Sequence, residues 1–268
     1  MKTVLTIAGS DCSGGAGIQA DIKTITMHNC YAMSVITALT AQNTTGVYGI
    51  EQTSDDFIAN QLDCVFTDIF PDAVKIGMVY GNDSAKVIAD KLNFYKAKNI
   101  VTDPVMVSTS GSRLISDNGL EMLKKHLLPI STLITPNVPE AEILSGIKIG
   151  SVSDMQKSAR IIAEKFGCSV LCKGGHLENC SDDLLYHNGK LYTYPSVKID
   201  NPNTHGTGCT LSSAIASNLA LGYDIPRATE LAKKYVTNAI SQKLVLGNGR
   251  GPLMHNYILN EIRKADEI

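Results

Sequence analysis

The chain begins its first folding unit with Val4-Leu5-Thr6-Ile7-Ala8-Gly9-Ser10-Asp11-Cys12-Ser13-Gly14-Gly15-Ala16-Gly17-Ile18-Gln19-Ala20-Asp21. Val4 to Ala8 is a short apolar run of the kind that forms a strand buried on both faces. From Ile18 to Met27 the period changes to that of a helix, with Ile18, Ile22 and Ile25 on one face. The glycines between them mark a turn that brings the chain from strand into helix. A strand followed at once by an amphipathic helix is one step of a parallel α/β sheet.

The same alternation continues along the chain. Ser34 to Leu39, Asp72 to Met78, Asn99 to Thr102, Leu133-Ile134 and Ser169 to Cys172 have strand character. Helices are expected from Ser54 to Ile69, opened by Ser54-Asp55-Asp56, and over Ser84 to Tyr95, Met155 to Phe166, Cys209 to Leu221 and Ala228 to Leu244. Asn188-Gly189 between Leu184–Tyr186 and Leu191–Tyr194 signals a hairpin. The expected fold is α/β, a mainly parallel central sheet with helices on both faces. Thr44 to Thr53, rich in β-branched residues and tied to no helix, is expected to form a small flap. No biased linker or internal repeat divides the 268 residues, so a single domain over 1–268 is expected. In such sheets ligands sit beyond the carboxyl ends of the strands.

Composition narrows the class. Hydrophobic residues are 44% and charged residues 19%, as in a packed globular core. A net charge of -2 offers no basic field for nucleic acid or an anionic membrane surface. Thr24 to Ile50 lacks Lys, Arg, Asp and Glu, but Asn29, Gln42, Asn43 and six threonines interrupt it, so no membrane span is expected. Met1-Lys2-Thr3 runs into a strand without signal-peptide architecture, and the seven cysteines, an odd number, suit reduced thiols. A cytoplasmic location is the expectation.

Two motifs mislead. Gly15-Ala16-Gly17-Ile18-Gln19-Ala20 matches the dinucleotide fingerprint G-x-G-x-x-A, but no acidic residue between Thr24 and Ile50 could hold a ribose hydroxyl. Gly14-Gly15 lacks the following Lys and Ser or Thr of a P-loop. Cys168, Cys172, His176 and Cys180 recur every four residues like zinc ligands. On a strand four residues span about 13 Å, far beyond the spacing of ligands around one tetrahedral ion, and buried structural cysteines are the better reading.

Four loops after strands carry chemistry. In Asn203-Thr204-His205-Gly206-Thr207-Gly208-Cys209-Thr210 the amides of Gly206, Thr207, Gly208 and Cys209 can form an anion nest at a helix N-terminus; an ordinary capped helix accounts for these residues equally well. Lys173-Gly174-Gly175-His176 places a lysine where it could meet phosphate oxygens, or merely solvent. Thr135-Pro136-Asn137-Val138-Pro139-Glu140 offers Asn137 and Glu140 to Mg²⁺ through water, while the same two residues also form a capping box. Asp103, in Asp103-Pro104-Val105-Met106-Val107, is either a metal-side carboxylate or a turn residue. Two carboxylates, a lysine and an amide nest are the parts that phosphoryl transfer uses.

With those loops, the stretches Ala8 to Asp21, Thr37-Ala38-Leu39-Thr40-Ala41-Gln42-Asn43-Thr44, Lys75-Ile76-Gly77-Met78 and Gly247-Asn248-Gly249-Arg250-Gly251-Pro252 closely resemble the hydroxymethylpyrimidine/phosphomethylpyrimidine kinases of thiamine biosynthesis, a branch with the ribokinase-like fold. The resemblance implies ATP and Mg²⁺ as cofactors, a homodimer, and two successive phosphorylations, of the pyrimidine alcohol and then of its monophosphate. It places Gly9, Asp21, Gln42, Met78 and Cys209 in the substrate pocket, Gln42 pairing with the aminopyrimidine. It gives Lys173, Asn137, Thr207 and Gly208 to ATP, and Asp103 and Glu140 to the metal. Gly206, Thr207, Gly208, Lys173 and Cys209 become the catalytic set. Cys209 stands where the wider family has an aspartate base; the helix N-terminus should favour its thiolate, ready to orient and finally accept the substrate proton. The pyridoxal kinases of the same subfamily are the rival, but Ser108 replaces their lid cysteine and Ala41-Gln42-Asn43 has the pyrimidine-kinase form. A catalytically silent pyrimidine sensor would not need the phosphate machinery. Many relatives carry Lys where this chain has Asn248.

Overall fold

The computed structural model describes residues 1–107, 114–174, 182–196 and 199–259. Gly175, His176, Cys180 and Ser108 lie outside the described residues. Among those described, the strands are β1 (Lys2–Asp11), β2 (Cys30–Asn43), β3 (Gly46–Gln52), β4 (Ala73–Ile76), β5 (Ile100–Thr102), β6 (Leu133–Ile134), β7 (Ser169–Cys172), β8 (Asp183–His187) and β9 (Lys190–Tyr194). They form one sheet in the order β3-β2-β1-β4-β5-β6-β7-β8-β9. From β2 to β7 all pairings are parallel, whereas β3 at one edge and β8 and β9 at the other are antiparallel.

Alternation along the strands sorts side chains into two cores. Leu5, Ile7, Val74, Ile76 and Val170 face one layer, made by α2 (Asp55–Phe66), α3 (Ser84–Phe94), α5 (Val138–Ser145) and α6 (Val152–Phe166). Val4, Ala73, Val101, Leu133 and Leu171 face α1 (Gly17–Met27), α7 (Thr207–Ala220) and α8 (Ile225–Ser241). Between β5 and β6 the chain forms a helix for which no expectation was made: α4 (Asp117–Met122) continues through a π turn at Leu123–Leu127 into a 3₁₀ turn at Leu128–Ile130.

The expected strand at Ser34–Leu39 is the middle of the longer β2, and the expected flap is β3, which pairs antiparallel with β2 as a hairpin. Ile50 of that hairpin packs against a small cluster of Ala38, Met78 and Leu114. No described helix is long and apolar enough to cross a membrane. The chain leaves β1 toward β2 on one side and later returns to add β4 on the other. Where crossovers diverge in this way the loops part and leave a crevice at the carboxyl ends.

Candidate active site

Glycines allow the walls of that crevice to meet. A methyl group on Gly9, at the end of β1, would lie 3.1 Å from Met78 Sδ, just past β4. Thr37 of β2 donates to the Met78 carbonyl at 2.7 Å, fixing that turn. Gln42, half-buried near the tip of β2, accepts from the Cys12 thiol at its carbonyl oxygen, 3.2 Å away. Gly9 and Met78 thus meet at one wall of the crevice, and Gln42 lies beside Cys12 in the turn after β1.

Asp21 does not join them. It is buried under the crevice, where Oδ2 accepts from Thr6 Oγ1 at 2.6 Å and pairs with Lys75 Nζ at 2.7 Å. Its Oδ1 accepts from Ser213 Oγ at 2.7 Å. With both oxygens occupied and no exposed surface, Asp21 ties α1, β1, β4 and α7 together; this corrects the expectation of a pocket-wall carboxylate. Burial alone would discharge Lys75, but Asp21, with Asp103 nearby, keeps its ammonium protonated.

The head of α7 forms the opposite wall. Gly206 has φ 83° and caps the helix without a side-chain bond. A methyl there would lie 1.9 Å from the Gly15 carbonyl oxygen, so only glycine lets the two turns touch. The Thr207 amide does not point into the expected nest: it donates to the Thr204 carbonyl at 3.2 Å, as does the Thr207 hydroxyl at 2.7 Å. α7 also begins two residues before the expected start at Cys209. The amides of Gly206, Gly208 and Cys209 remain, and amides at a helix head precede its first i→i−4 acceptor.

Gly208 brings this wall against the charged loops. A methyl on it would sit 3.0 Å from Asp103 Oδ2 and 3.5 Å from Lys173 Nζ. Lys173 pairs with Asp103 Oδ1 at 2.7 Å, and Thr135 Oγ1 donates to the same oxygen at 3.0 Å. Burial opposes the Lys173 charge, but Asp103 and Glu140 raise its pKa above that of an ordinary lysine. Asp183 steadies its loop: Oδ1 accepts from the Gly174 amide at 2.9 Å while Oδ2 pairs with Lys233 of α8 at 2.7 Å.

The capping box expected at Asn137 and Glu140 is present, with Glu140 N–H donating to Asn137 Oδ1 at 2.9 Å and Asn137 N–H to Glu140 Oε2 at 2.8 Å. Burial and the neighbouring Asp103 push the Glu140 carboxyl up to about 7, against the pull of Lys173. A buried acid made reluctant to ionise by another acid is relieved by a dication, so Asp103 and Glu140 fit Mg²⁺. Among the described residues no three His, Cys, Asp or Glu side chains cluster as a metal cage, and Mg²⁺ needs none, since it keeps several waters.

Cys209 departs from expectation in its charge. Its half-buried thiol is pushed up to about 11, first by burial and then by Asp21 and Asp103. Lys75 and the Gly17 amide pull the other way without overcoming burial. The helix N-terminus therefore does not yield a thiolate here.

Asp11 and His205 were not assigned a role from the sequence. Asp11 Oδ1 accepts from Ser13 N and Oγ, both at 2.8 Å; Oδ2 accepts from Gly15 N at 3.1 Å, Ala16 N at 2.8 Å and His205 Nε2 at 2.9 Å. Its position at the end of β1, ahead of the glycine-rich turn, was the available signal. Asn248 is exposed on a loop whose Gly249 and Arg250 amides donate to Thr44 Oγ1 and the Thr44 carbonyl, at 3.1 and 3.0 Å.

Comparison with known proteins gives the chain's family. Residues 11–254 match the family described as phosphomethylpyrimidine kinase. The hydroxymethylpyrimidine/phosphomethylpyrimidine kinase of Bacillus subtilis is 42% identical over 94% of this chain and 93% of its own length. The thiamine biosynthesis bifunctional protein ThiED of Geobacter sulfurreducens is 46% identical over 97% of this chain, which spans 54% of that longer protein. Among solved structures, phosphomethylpyrimidine kinase from Clostridium difficile has a TM-score of 0.82 at 47% identity, covering 90% of this chain and 100% of that one. An ADP complex of Bacillus subtilis pyridoxal kinase has a TM-score of 0.89 at 35% identity, covering 97% of this chain and 99% of that one.

Proposed function

This chain belongs to the phosphomethylpyrimidine kinase family, and from that premise we propose that it transfers the γ-phosphoryl group of ATP to 4-amino-5-hydroxymethyl-2-methylpyrimidine and then phosphorylates the monophosphate to the diphosphate. The observation that carries this reading is the approach of the α7 head to the Asp103–Lys173 pair at Gly208, which brings donors for an anion and a fixed cation to one point. The pyridoxal kinase reading is weaker, because the pyrimidine kinases are the more similar relatives, at 42–47% against 35%.

In the proposed mechanism Gln42 reads the aminopyrimidine, and Gly9 and Met78 supply the flat wall. The hydroxymethyl oxygen attacks the γ-phosphorus, the bond to the β-phosphate oxygen breaks, and ADP leaves with that electron pair. Lys173 neutralises phosphate charge, with Asn137 beside it, and the Gly206, Gly208 and Cys209 amides face the transferred group. Asp103 and Glu140 would hold Mg²⁺, which supplies charge neutralisation between the phosphates. Because the transition state is loose, the alcohol proton leaves late, onto an oxygen of the new ester. A protonated Cys209 thiol then positions the alcohol rather than removing its proton. The low net charge and the resemblance support a cytoplasmic homodimer acting on small molecules, without nucleic acid or membrane.

Incubation with Mg-ATP and the hydroxymethylpyrimidine, followed by chromatography, tests this. Monophosphate and then diphosphate are expected. Absence of both refutes the kinase reading and favours a silent binder; severalfold preference for pyridoxal promotes the sister activity.

A further inference from the structure

Among the described residues, a buried contact between side chains far apart in sequence joins the two turns that line the crevice, one after β1 and one before α7. Asp11 is 1% exposed and His205 is 9% exposed. The carboxylate's other partners are the amides of Ser13, Gly15 and Ala16 and the Ser13 hydroxyl, all donors. Burial would raise its pKa, but bonds from His205, Ser13 and Gln42 hold it well below the usual carboxylate range. An ionised carboxylate can only accept, so His205 carries its proton on Nε2.

The contact is tight on every side. A methyl on Gly15 would lie 2.4 Å from His205 Cδ2, and one on Gly206 would strike the Gly15 carbonyl. The His205 amide donates to the Gly251 carbonyl at 3.1 Å, so a third loop backs the ring. The Gln42 side chain also approaches the same carboxylate. One carboxylate therefore joins the turn after β1 to the residue before Gly206.

We propose that Asp11 and His205 are positioning residues for phosphoryl transfer: their hydrogen bond locks the turn after β1 onto the turn that opens α7 and fixes the alcohol pocket relative to the amides facing the migrating phosphoryl group. The inference rests on the kinase reading above. Neither side chain touches the reacting atoms. Their effect is on register, and small misplacements of reacting groups cost rate rather than binding.

The test uses the full chain, with His205→Ala, His205→Gln and Asp11→Asn assayed on the hydroxymethylpyrimidine beside the unaltered protein. ADP and pyrimidine phosphate are counted in the same reaction, and rates are normalised to the folded fraction from a denaturation curve. His205→Ala and Asp11→Asn are expected to lose at least tenfold in kcat with KM for the pyrimidine within threefold. His205→Gln, whose amide can still donate to Asp11, should recover at least a third of the lost rate. Loose register should also let water compete, raising ADP above one per phosphoryl group transferred, with each monophosphate counted once and each diphosphate twice. A kcat within twofold, a change confined to KM, or a Gln variant no better than Ala overturns the proposal. If His205→Ala does not fold, the isosteric Asp11→Asn decides alone on the same kcat and KM criteria. Absence of pyrimidine phosphate from the unaltered protein refutes the kinase reading instead, and so the two failures are distinct.

Discussion

Cys209 shows how one residue can be found in a sequence while its chemistry stays hidden. A thiol at a helix head is expected to ionise easily, yet here burial and two nearby carboxylates push it up to about 11. A thiol that stays protonated at neutral pH has no general-base role to lose. Cys209→Ser should therefore keep activity within about threefold and Cys209→Ala should lose less than about tenfold, roughly 1.4 kcal/mol. The kcat/KM profile between pH 6.5 and 9 should have the same shape for both variants and the unaltered protein. An alkaline limb that vanishes with the thiol would restore the thiolate base. The charge state was illegible in the sequence because the groups that set it, Asp21, Lys75 and Asp103, converge only in three dimensions. For the same reason Asp21 was mistaken for a ligand: nothing local reveals that Lys75 and Ser213 complete its coordination.

Among the elements, α7 is the one to whose opening turn the proposed mechanism gives a chemical part. Gly206→Ala would place a methyl 1.9 Å from a backbone oxygen at a φ of 83°, forcing the turns apart. Losing the alignment of amide donors costs on the order of a hundredfold or more in kcat. We expect that loss, with a stability decrease of about 1–3 kcal/mol from backbone strain, read by steady-state kinetics and urea unfolding. A variant with unchanged kcat would detach the α7 head from the reaction. Most elements were legible because apolar period and capping residues agree: Ser54 and Asn137 cap α2 and α5 with their own side chains. β2 was read too short at this end because Thr40, Gln42 and Asn43 look like loop residues, and pairing with β3, joined at Thr40 by β1, keeps them extended. Residues 117–130 were missed because the backbone passes from α to π to 3₁₀, so their buried residues follow no single period.

At the scale of the whole molecule, the Lys75–Asp21 pair is an ion pair with no exposure on either side chain. Removing one partner of such a pair leaves a buried charge uncompensated, at about 3–5 kcal/mol. Lys75→Met should destabilise the protein by that amount in a denaturant titration, and adding Asp21→Asn should return part of it. Full stability in Lys75→Met would mean that Thr6 and Ser213 alone suffice for Asp21. The mainly parallel sheet and its terminal hairpin were legible, since alternation of strand with helix is a local signal; the strand order was not, because parallel neighbours are separated by whole helices. The contact between Asp11 and His205 spans 194 residues. A polypeptide emerging from the ribosome has made all nine described strands by Tyr194, yet it lacks the phosphate-side wall, which begins at Gly206. That wall is added late in synthesis, and a chain broken ahead of α7 keeps the Asp103–Lys173 pair and Glu140 but lacks the amides opposite them.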